Sequence, residues 1–227
     1  MTRRTKWITG LPVLVFAIAA SAAPARAADL AKRLTDARAV YQELITAPDR
    51  EVPKELLERA KCIAVFPGVI KAAIAYGARH GNGVMTCRGV NGRWSPPAFV
   101  SISGGSVGFQ LGAESTDLVL FFMNDRGANS LMNGSRITLG GKASIAAGPF
   151  GRSGEAGTNL ELKAEIYSYA RTRGLFAGLS LEGARLAPSS KDNEQYYGKG
   201  VSASQLLFGH APGQVPTEAE HFREALP

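Results

Sequence analysis

Residues 99–124 read FVSISGGSVGFQLGAESTDLVLFFMN, and this stretch decides the fold class. It is apolar, punctuated by glycine and almost free of charge. Val107, Phe109 and Leu111 alternate with glycine or a polar residue, and residues 118–123 form an unbroken apolar run, so we predict two strands. Glycine inside a strand indicates a bulge, a bend or the close approach of another backbone. We therefore expect a strongly curved sheet.

The same stretch contains Gly104-Gly105-Ser106-Val107-Gly108, which matches the G-x-S-x-G nucleophile elbow of hydrolases. An elbow needs a helix directly after the serine, whereas strand-like alternation follows here. Asp192 and His210 would complete a triad in the hydrolase order. A serine hydrolase using Ser106 is therefore kept as an alternative, while the pattern favours a glycine-rich sheet and no catalytic residues.

The first 27 residues contain the three parts of an export signal. Basic residues near the start are followed by an apolar run at 11–20 and by Ala25-Arg26-Ala27, a small-x-small cleavage site. We predict that residues 1–27 are removed and that the mature protein is periplasmic or secreted. Because a transmembrane helix needs about 20 apolar residues, which no segment approaches, we expect no membrane span.

The charge of the chain excludes nucleic acid as an expected partner. The formal net charge is +7, and the predicted signal holds four basic residues and no acid, which leaves +3 on the mature chain. No block of lysine or arginine remains after that removal. The remaining residues suffice for one domain, which we place at 28–210 and follow with a polar tail at 211–227.

Two cysteines occur, Cys62 and Cys87. An oxidising compartment permits a disulfide between them, but two reduced buried thiols are an equal alternative because sequence does not determine the geometry. His80 would add a third zinc ligand, yet no C-x-x-C or H-x-x-x-H spacing supports a metal site. The glycine-rich segment 146–157 also lacks the G-x-x-x-x-G-K-[ST] phosphate loop, so we expect neither metal nor cofactor.

The order of elements predicts an α+β domain. Apolar residues recur at helical spacing over 29–47, with Asp29 as the N-cap, and a second helix is predicted over 53–60. N-terminal helices are thus followed by a strongly curved, mainly antiparallel sheet, with a barrel-like form as one option. The later elements are strands at 61–66, 69–76, 84–88, 160–169 and 175–181, turns at Pro67-Gly68 and 81–83, short helices at 125–133, 192–197 and 202–207, and a loose tail after Pro212.

Several glycine- and aromatic-rich motifs identify a family resemblance. They are AKCIAVFP at 60–67, GGSVGFQLGA at 104–113, AGPFGR at 147–152, YSY at 167–169 and GLFAGLSLEG at 174–183. With these motifs the chain resembles the SYLF family, a lipid-binding domain of bacterial exported proteins and of eukaryotic membrane-trafficking and actin-patch proteins. The resemblance covers about residues 29–208. It implies binding to membrane phospholipids and no established catalysis, with actin and SH3-type partners belonging to the eukaryotic members.

For an exported protein we expect anionic phospholipids other than phosphoinositides as ligands. A lysine or arginine held near an anionic surface adds about 1 kcal/mol of attraction. Five candidates are selected for their position in the N-terminal third, and each has a solvated surface charge as its alternative. They are Lys32, Arg33, Lys61, Lys71 and Arg79. Reversing Lys32 and Arg33 to glutamate should then weaken vesicle binding and leave the fold intact.

A structural envelope protein whose sheet binds an unidentified protein is a further alternative.

Overall fold

The computed structural model describes residues 22–47, 52–74, 76–107, 112–124, 128, 136–141, 143–149, 164–172, 175–179, 181–209 and 213–227. The helices are α1 (Ala22–Thr46), α2 (Lys54–Arg59), α3 (Ser190–Tyr197), α4 (Ala203–Phe208) and α5 (Thr217–Glu224). The strands are β1 (Cys62–Ile74), β2 (Tyr76–Cys87), β3 (Ala98–Val107), β4 (Gly112–Phe122), β5 (Ile137–Thr138), β6 (Ile145–Ala147), β7 (Ile166–Thr172), β8 (Leu175–Gly178) and β9 (Arg185–Pro188). The predicted helix at 125–133 apart from residue 128, most of the loop at 146–157 and His210 lie outside the described residues.

The nine strands form one sheet in the order β5-β9-β3-β2-β1-β4-β7-β6, with β8 also paired to β7. Every described pairing is antiparallel except that of β6 with β7. The α+β class and the mainly antiparallel sheet are therefore confirmed. The barrel-like option is wrong, because the short strands β5 and β6 lie at opposite ends of the order and each pairs with a single neighbour within the described ranges.

Strand β1 continues past Pro67-Gly68, where the sequence predicts a turn. Between Phe66 and Val69 the chain advances three residues while its partner positions on β4 advance only from Leu118 to Thr116. This is a β-bulge of one extra residue, and Gly68 adopts φ +68°, which favours glycine. The predicted turn was wrong because a glycine with positive φ serves a bulge as well as a turn.

The glycines at 81–83 likewise belong to strand β2 and not to a turn. A Cβ atom on Gly83 would lie 2.3 Å from the Val65 carbonyl oxygen and 2.5 Å from Cδ1 of Phe66. Glycine is required there because the bulged strand β1 approaches the β2 backbone closely. One long hairpin, with Ile74 opposite Tyr76, replaces the three shorter strands that the sequence indicates.

The centre of the sheet is buried on both faces. On one face Ile63 and Val65 pack with α1, α2 and α5, and on the other Ala64 and Phe66 pack with α4. All four side chains are fully buried. An unbroken apolar run such as residues 62–66 is what a strand covered on both faces requires.

Helix α1 begins at Ala22, seven residues before the predicted N-cap Asp29, so that assignment was wrong. The predicted cleavage point after Ala27 falls inside this helix. The predicted apolar stripe is confirmed as a buried face, represented by Leu34, Tyr41 and Leu44. Because this face packs on the sheet, α1 does not present an apolar surface to solvent.

The segment after Pro212 is not the loose tail that its polar composition indicates. Residues 217–224 form α5, whose Ala219 and Phe222 are completely buried against the cluster that contains α1. The indole Nε1 of Trp94 donates a hydrogen bond of 2.6 Å to the Pro227 oxygen just beyond this helix. Two apolar residues among eight are a weak sequence signal for a packed helix, yet both are buried here.

Candidate ligand-binding pocket at the outer end of the sheet

A pocket of about 180 Å³ lies on the sheet face opposite α1, across strands β2, β1, β4, β7 and β8. Its deep part is apolar and buried, formed by Leu118, Ala170 and Leu181. Val69 extends this surface outward beside two hydroxyl groups, Thr116 Oγ1 and Thr172 Oγ1, which are 3.1 Å apart. We call this cavity the sheet pocket.

The outer wall of the sheet pocket is charged. Lys71 on β1 lies directly opposite Arg79 on β2 and directly opposite Glu114 on β4. Like charges placed opposite each other on adjacent strands are destabilising, whereas the lysine–glutamate pairing is favourable. Burial lowers the pKa of the Arg79 guanidinium, which nevertheless stays charged at neutral pH.

The bulge in β1 determines which face carries Lys71. Side chains alternate between the two faces of a strand, so a shift of one residue moves all later side chains to the other face. Phe66 and Val69 belong to the same core cluster although they are an odd number of residues apart. The extra residue therefore brings Val69, and Lys71 two residues later, onto the face of the sheet pocket.

A carboxylate network holds this bulge in place. The backbone N–H of Gly68 donates to Asp117 Oδ1 at 2.9 Å, and Arg171 donates to Asp117 Oδ2 through Nε at 2.9 Å and Nη2 at 2.6 Å. Arg171 also forms an ion pair with Glu43 of α1. Burial raises the pKa of Asp117 in spite of the hydrogen bond from Gly68. The bulge, the sheet and α1 are thus linked through one arginine.

Arg33, predicted to contact head groups, pairs with a buried carboxylate. Its Nη1 donates to Asp192 Oδ2 at 2.9 Å, Arg26 Nη2 donates to Asp192 Oδ1 at 2.9 Å, and the Arg33 guanidinium carbon lies 5.5 Å from the centre of the Phe99 ring. Burial alone would raise the pKa of Asp192, but hydrogen bonds from Arg33, Arg26 and Ser189 lower it overall. This carboxylate therefore contributes stability that is present above its unfolded pKa and is lost as the pH falls through its folded pKa.

Lys32 points into a different hollow, of about 270 Å³, between α1 and the outer part of the β1–β2 hairpin. Its Nζ lies 2.6 Å and 2.8 Å from the two carboxylate oxygens of Asp36. Arg33 and Asp29 also line this hollow, so its two basic side chains are matched by two acidic ones. Lys61 is exposed and lies just before Cys62, at the opposite end of β1. Lys71 and Arg79 share the sheet pocket. Lys32 and Arg33 share the hollow beside α1, where two acids accompany them.

The hydrolase alternative lacks its required geometry at Ser106. This residue pairs with Gly77 inside β3, and the following Val107 still belongs to the strand. A nucleophile elbow would turn into a helix at that point. Asp192, the predicted acid of the triad, is engaged by Arg33 and Arg26.

Cys62 and Cys87 face each other in the β1–β2 register, and their sulfur atoms are joined in a disulfide. Both residues are buried in the core opposite α1. Among the described residues, no group of three or more histidine, cysteine or acidic side chains could hold a metal ion. In the same part of the chain, none of the helices combines the length and apolar character needed to cross a membrane.

The pocket residues that sequence reasoning missed include Glu114, Thr116, Thr172 and Leu181. These residues come from distant parts of the chain and meet only through strand register, as in the pairing of Asp117 with Arg171 that places Thr116 beside Thr172. Alternation of Thr116 and Leu118 shows that they share a face, but no sequence signal identifies the strand beside them. These residues could not be identified as one site from the sequence, because only the order of the strands in the sheet brings them together.

Comparison with known proteins gives the family. Residues 103–227 match the family model described as Ysc84, Las17-binding protein actin regulator. SH3 domain-containing YSC84-like protein 1 of Rattus norvegicus is 38% identical over 179 residues, which is 79% of this chain and 52% of the relative. The Homo sapiens protein of that name is 37% identical with the same coverage, and Protein YSC84 of Saccharomyces cerevisiae is 33% identical over 174 residues, covering 76% of this chain and 36% of the relative.

The chain spans about half the length of the mammalian relatives that it matches. Their identities and the family match together agree with the motifs that indicate a SYLF domain. This family is described by what it binds and regulates, and not by a reaction. The chain belongs to the Ysc84 (SYLF) family.

Proposed function

We propose that this domain is a non-catalytic module that binds the head groups of anionic phospholipids at a membrane surface. The observation that supports this is the direct opposition of Lys71 and Arg79 at the wall of the sheet pocket. Glu114 offsets one of these two positive charges, and the remaining net charge of +1 would attract an anion to this wall.

Apolar side chains beside these cations support contact with a membrane interface. Leu179 is 36% exposed at the sheet pocket, and Ile70 is 57% exposed on the other face of β1. Apolar burial and attraction to anionic lipids add together in interfacial binding. Helix α1 is a poorer candidate for this role because its apolar stripe already packs on the sheet.

Vesicle sedimentation tests the proposal. We expect the protein to bind vesicles that contain phosphatidylglycerol more tightly than pure phosphatidylcholine vesicles, and added salt to reduce the difference through screening. The double variant Lys71→Gln/Arg79→Gln should lose about 2 kcal/mol of binding, which is roughly 30-fold in affinity.

Lys61→Gln is the matched control, because Lys61 is an exposed lysine on the same hairpin that does not line the sheet pocket. It should bind nearly as well as the unmodified protein. Equal binding to the two kinds of vesicle, or full binding by a folded double variant, would refute the electrostatic mechanism.

The place of action that we propose is the cell envelope, with the protein exported and peripheral on a membrane. The export signal in residues 1–27 supports this location. Intact-mass measurement of the protein recovered from the periplasm or medium should give a chain that begins at Ala28. This mature chain keeps the Arg33 pair with Asp192 and loses the Arg26 pair. Recovery of the full-length chain from the cytoplasm alone would contradict export.

A protein partner is the second candidate function. The family description names Las17 binding and actin regulation, and the mammalian relatives are named for an SH3 domain. Vesicles of purified lipid contain no protein, so they separate the two candidates. Failure to bind any anionic vesicle would favour a protein ligand for this domain.

A further inference from the structure

The lining of the sheet pocket changes from apolar to charged along the direction of the strands. Strand register defines three successive rows across the sheet: Leu118, Ala170 and Ala177, then Val69, Thr116 and Thr172, then Arg79, Lys71 and Glu114. The first row is apolar, the second carries two hydroxyl groups and the third is charged. Such a gradient fits a ligand that is apolar at one end and ionic at the other.

The charge of the outer row favours a ligand with a single negative charge. Lys71 and Arg79 contribute two positive charges and Glu114 one negative charge, so the row carries a net +1. A second negative charge on the ligand would lie in the same row as the Glu114 carboxylate and would be repelled by it. The row therefore favours a monoanion over a head group with several phosphates.

The volume of the sheet pocket limits how much of a ligand can enter. An apolar protein cavity of about 150 Å³ holds one benzene molecule, so a pocket of about 180 Å³ holds a group of similar or slightly larger size. This is enough for a head group with a short stretch of one chain, and too little for a phospholipid with two chains.

We propose that the sheet pocket binds one monoanionic, single-chain amphiphile, with the anion at Lys71 and Arg79 and the start of the chain against Leu118 and Leu181. This inference rests on the proposed function, because it names the ligand that the same site takes. A free fatty acid and a single-chain phospholipid share this chemistry, so both are included as separate arms of the test.

Isothermal titration calorimetry below the critical micelle concentration tests the ligand class. Decanoate and lysophosphatidylglycerol are the monoanionic probes, decyltrimethylammonium has the opposite charge and decyl maltoside has none. We expect saturable binding of one molecule of decanoate, of lysophosphatidylglycerol or of both, and none of the other two probes. Binding of neither monoanion, or equal binding of all four probes, overturns the proposal.

Three variants test the two ends of the pocket separately. Arg79→Gln removes one of the two cations and should weaken decanoate binding about fivefold. Ala177→Phe places a ring on an exposed position of the apolar row and should abolish binding by filling the pocket. Glu114→Gln should improve binding of decyl phosphate, a probe with up to two charges, more than that of decanoate. Lys61→Gln should change none of these values.

Comparison with vesicle binding separates this inference from the proposed function. If anionic vesicles are bound while Ala177→Phe leaves decanoate binding unchanged, the pocket assignment fails and the membrane-surface function stands. If decanoate is bound and lost in Ala177→Phe while no vesicle is bound, the pocket assignment stands and the membrane-surface function fails.

Discussion

The two halves of the β1–β2 hairpin are built by the same two strands but meet different surroundings. The inner half, residues 62–66 with residues 84–87, is fully buried on both faces, closed by α1 on one side and by α4 on the other. The outer half extends past this cover, so Ile70 is 57% exposed and Lys71 and Arg79 line a pocket. The inner half is core, and the outer half is the candidate site.

The bulge at Pro67-Gly68 separates these halves and explains how one strand serves both. One extra residue in β1 shifts every later side chain to the opposite face. The apolar surface thus continues as far as Val69, and Lys71 follows it on the same face. A single backbone irregularity therefore sets the composition of the pocket wall.

The largest expected effect tests the inner half as core. Phe66 lies in this half and is completely buried, so Phe66→Ala should lower the free energy of unfolding by about 3–5 kcal/mol. Ile70→Ala in the outer half should change it by less than about 0.5 kcal/mol, because the side chain is mostly exposed. Urea denaturation of both variants measures the difference. Similar losses would show that the two halves are not energetically distinct.

The second prediction concerns the stability that the disulfide contributes to the inner half. Closing the loop of 25 residues between Cys62 and Cys87 should contribute about 3 kcal/mol in the chain-entropy model. Reduction should therefore lower the midpoint of denaturation of the wild-type protein. The double variant Cys62→Ala/Cys87→Ala is the control, since reductant should not affect it. A wild-type protein that is equally insensitive would instead indicate reduced cysteines.

The third prediction compares two neighbouring residues on α1. The sequence led us to treat Lys32 and Arg33 alike, but their contacts in the folded protein differ. Arg33→Gln removes a hydrogen bond to the buried Asp192 carboxylate and should cost about 1.5–3 kcal/mol. Lys32→Gln breaks only an exposed pair with Asp36 and should cost less than about 0.5 kcal/mol. Thermal or urea denaturation compares the two. Equal costs would remove the distinction between anchor and surface charge.

The smallest expected effect concerns the bulge itself. A Cβ atom on Gly68 would have room, with Ser115 Oγ at 3.5 Å as its nearest neighbour, but the backbone has φ +68°. Gly68→Ala should therefore cost about 1–2 kcal/mol from backbone conformation alone. Gly68→Asn is the control and should cost less, because asparagine tolerates this region better. If alanine and asparagine behave alike, positive φ is not what glycine supplies at the bulge.

Local periodicity predicted most elements but not the length of the strands. Residue spacing predicted the stripe on α1 and the apolar run at 118–123 that belongs to β4. The short helices predicted at 192–197 and 202–207 correspond to α3 and α4. Pro67-Gly68 and the glycines at 81–83 were assigned to turns because the same residues serve turns and bulges. Only the partner strand shows which of the two a glycine serves.

The candidate site was predictable only in part. Lys71 and Arg79 were selected from sequence, but so were Arg33 and Lys32, which pair with Asp192 and Asp36. A lysine or arginine has the same appearance in sequence whether it anchors a helix or lines a pocket. Its role depends on which acid the folded chain places beside it.

By itself, the sequence determined the family, the α+β class and the apolar faces, because each of these depends on motifs and spacing within short segments. The tertiary structure alone decided that β1 continues through its bulge, that Asp192 holds Arg33, and that Lys71, Arg79, Glu114 and Leu181 share one pocket. These facts depend on strand register and on contacts between residues far apart in the chain. Register shifts by one residue reverse the faces of a strand, and no local pattern reports such a shift until the neighbouring strands are in place.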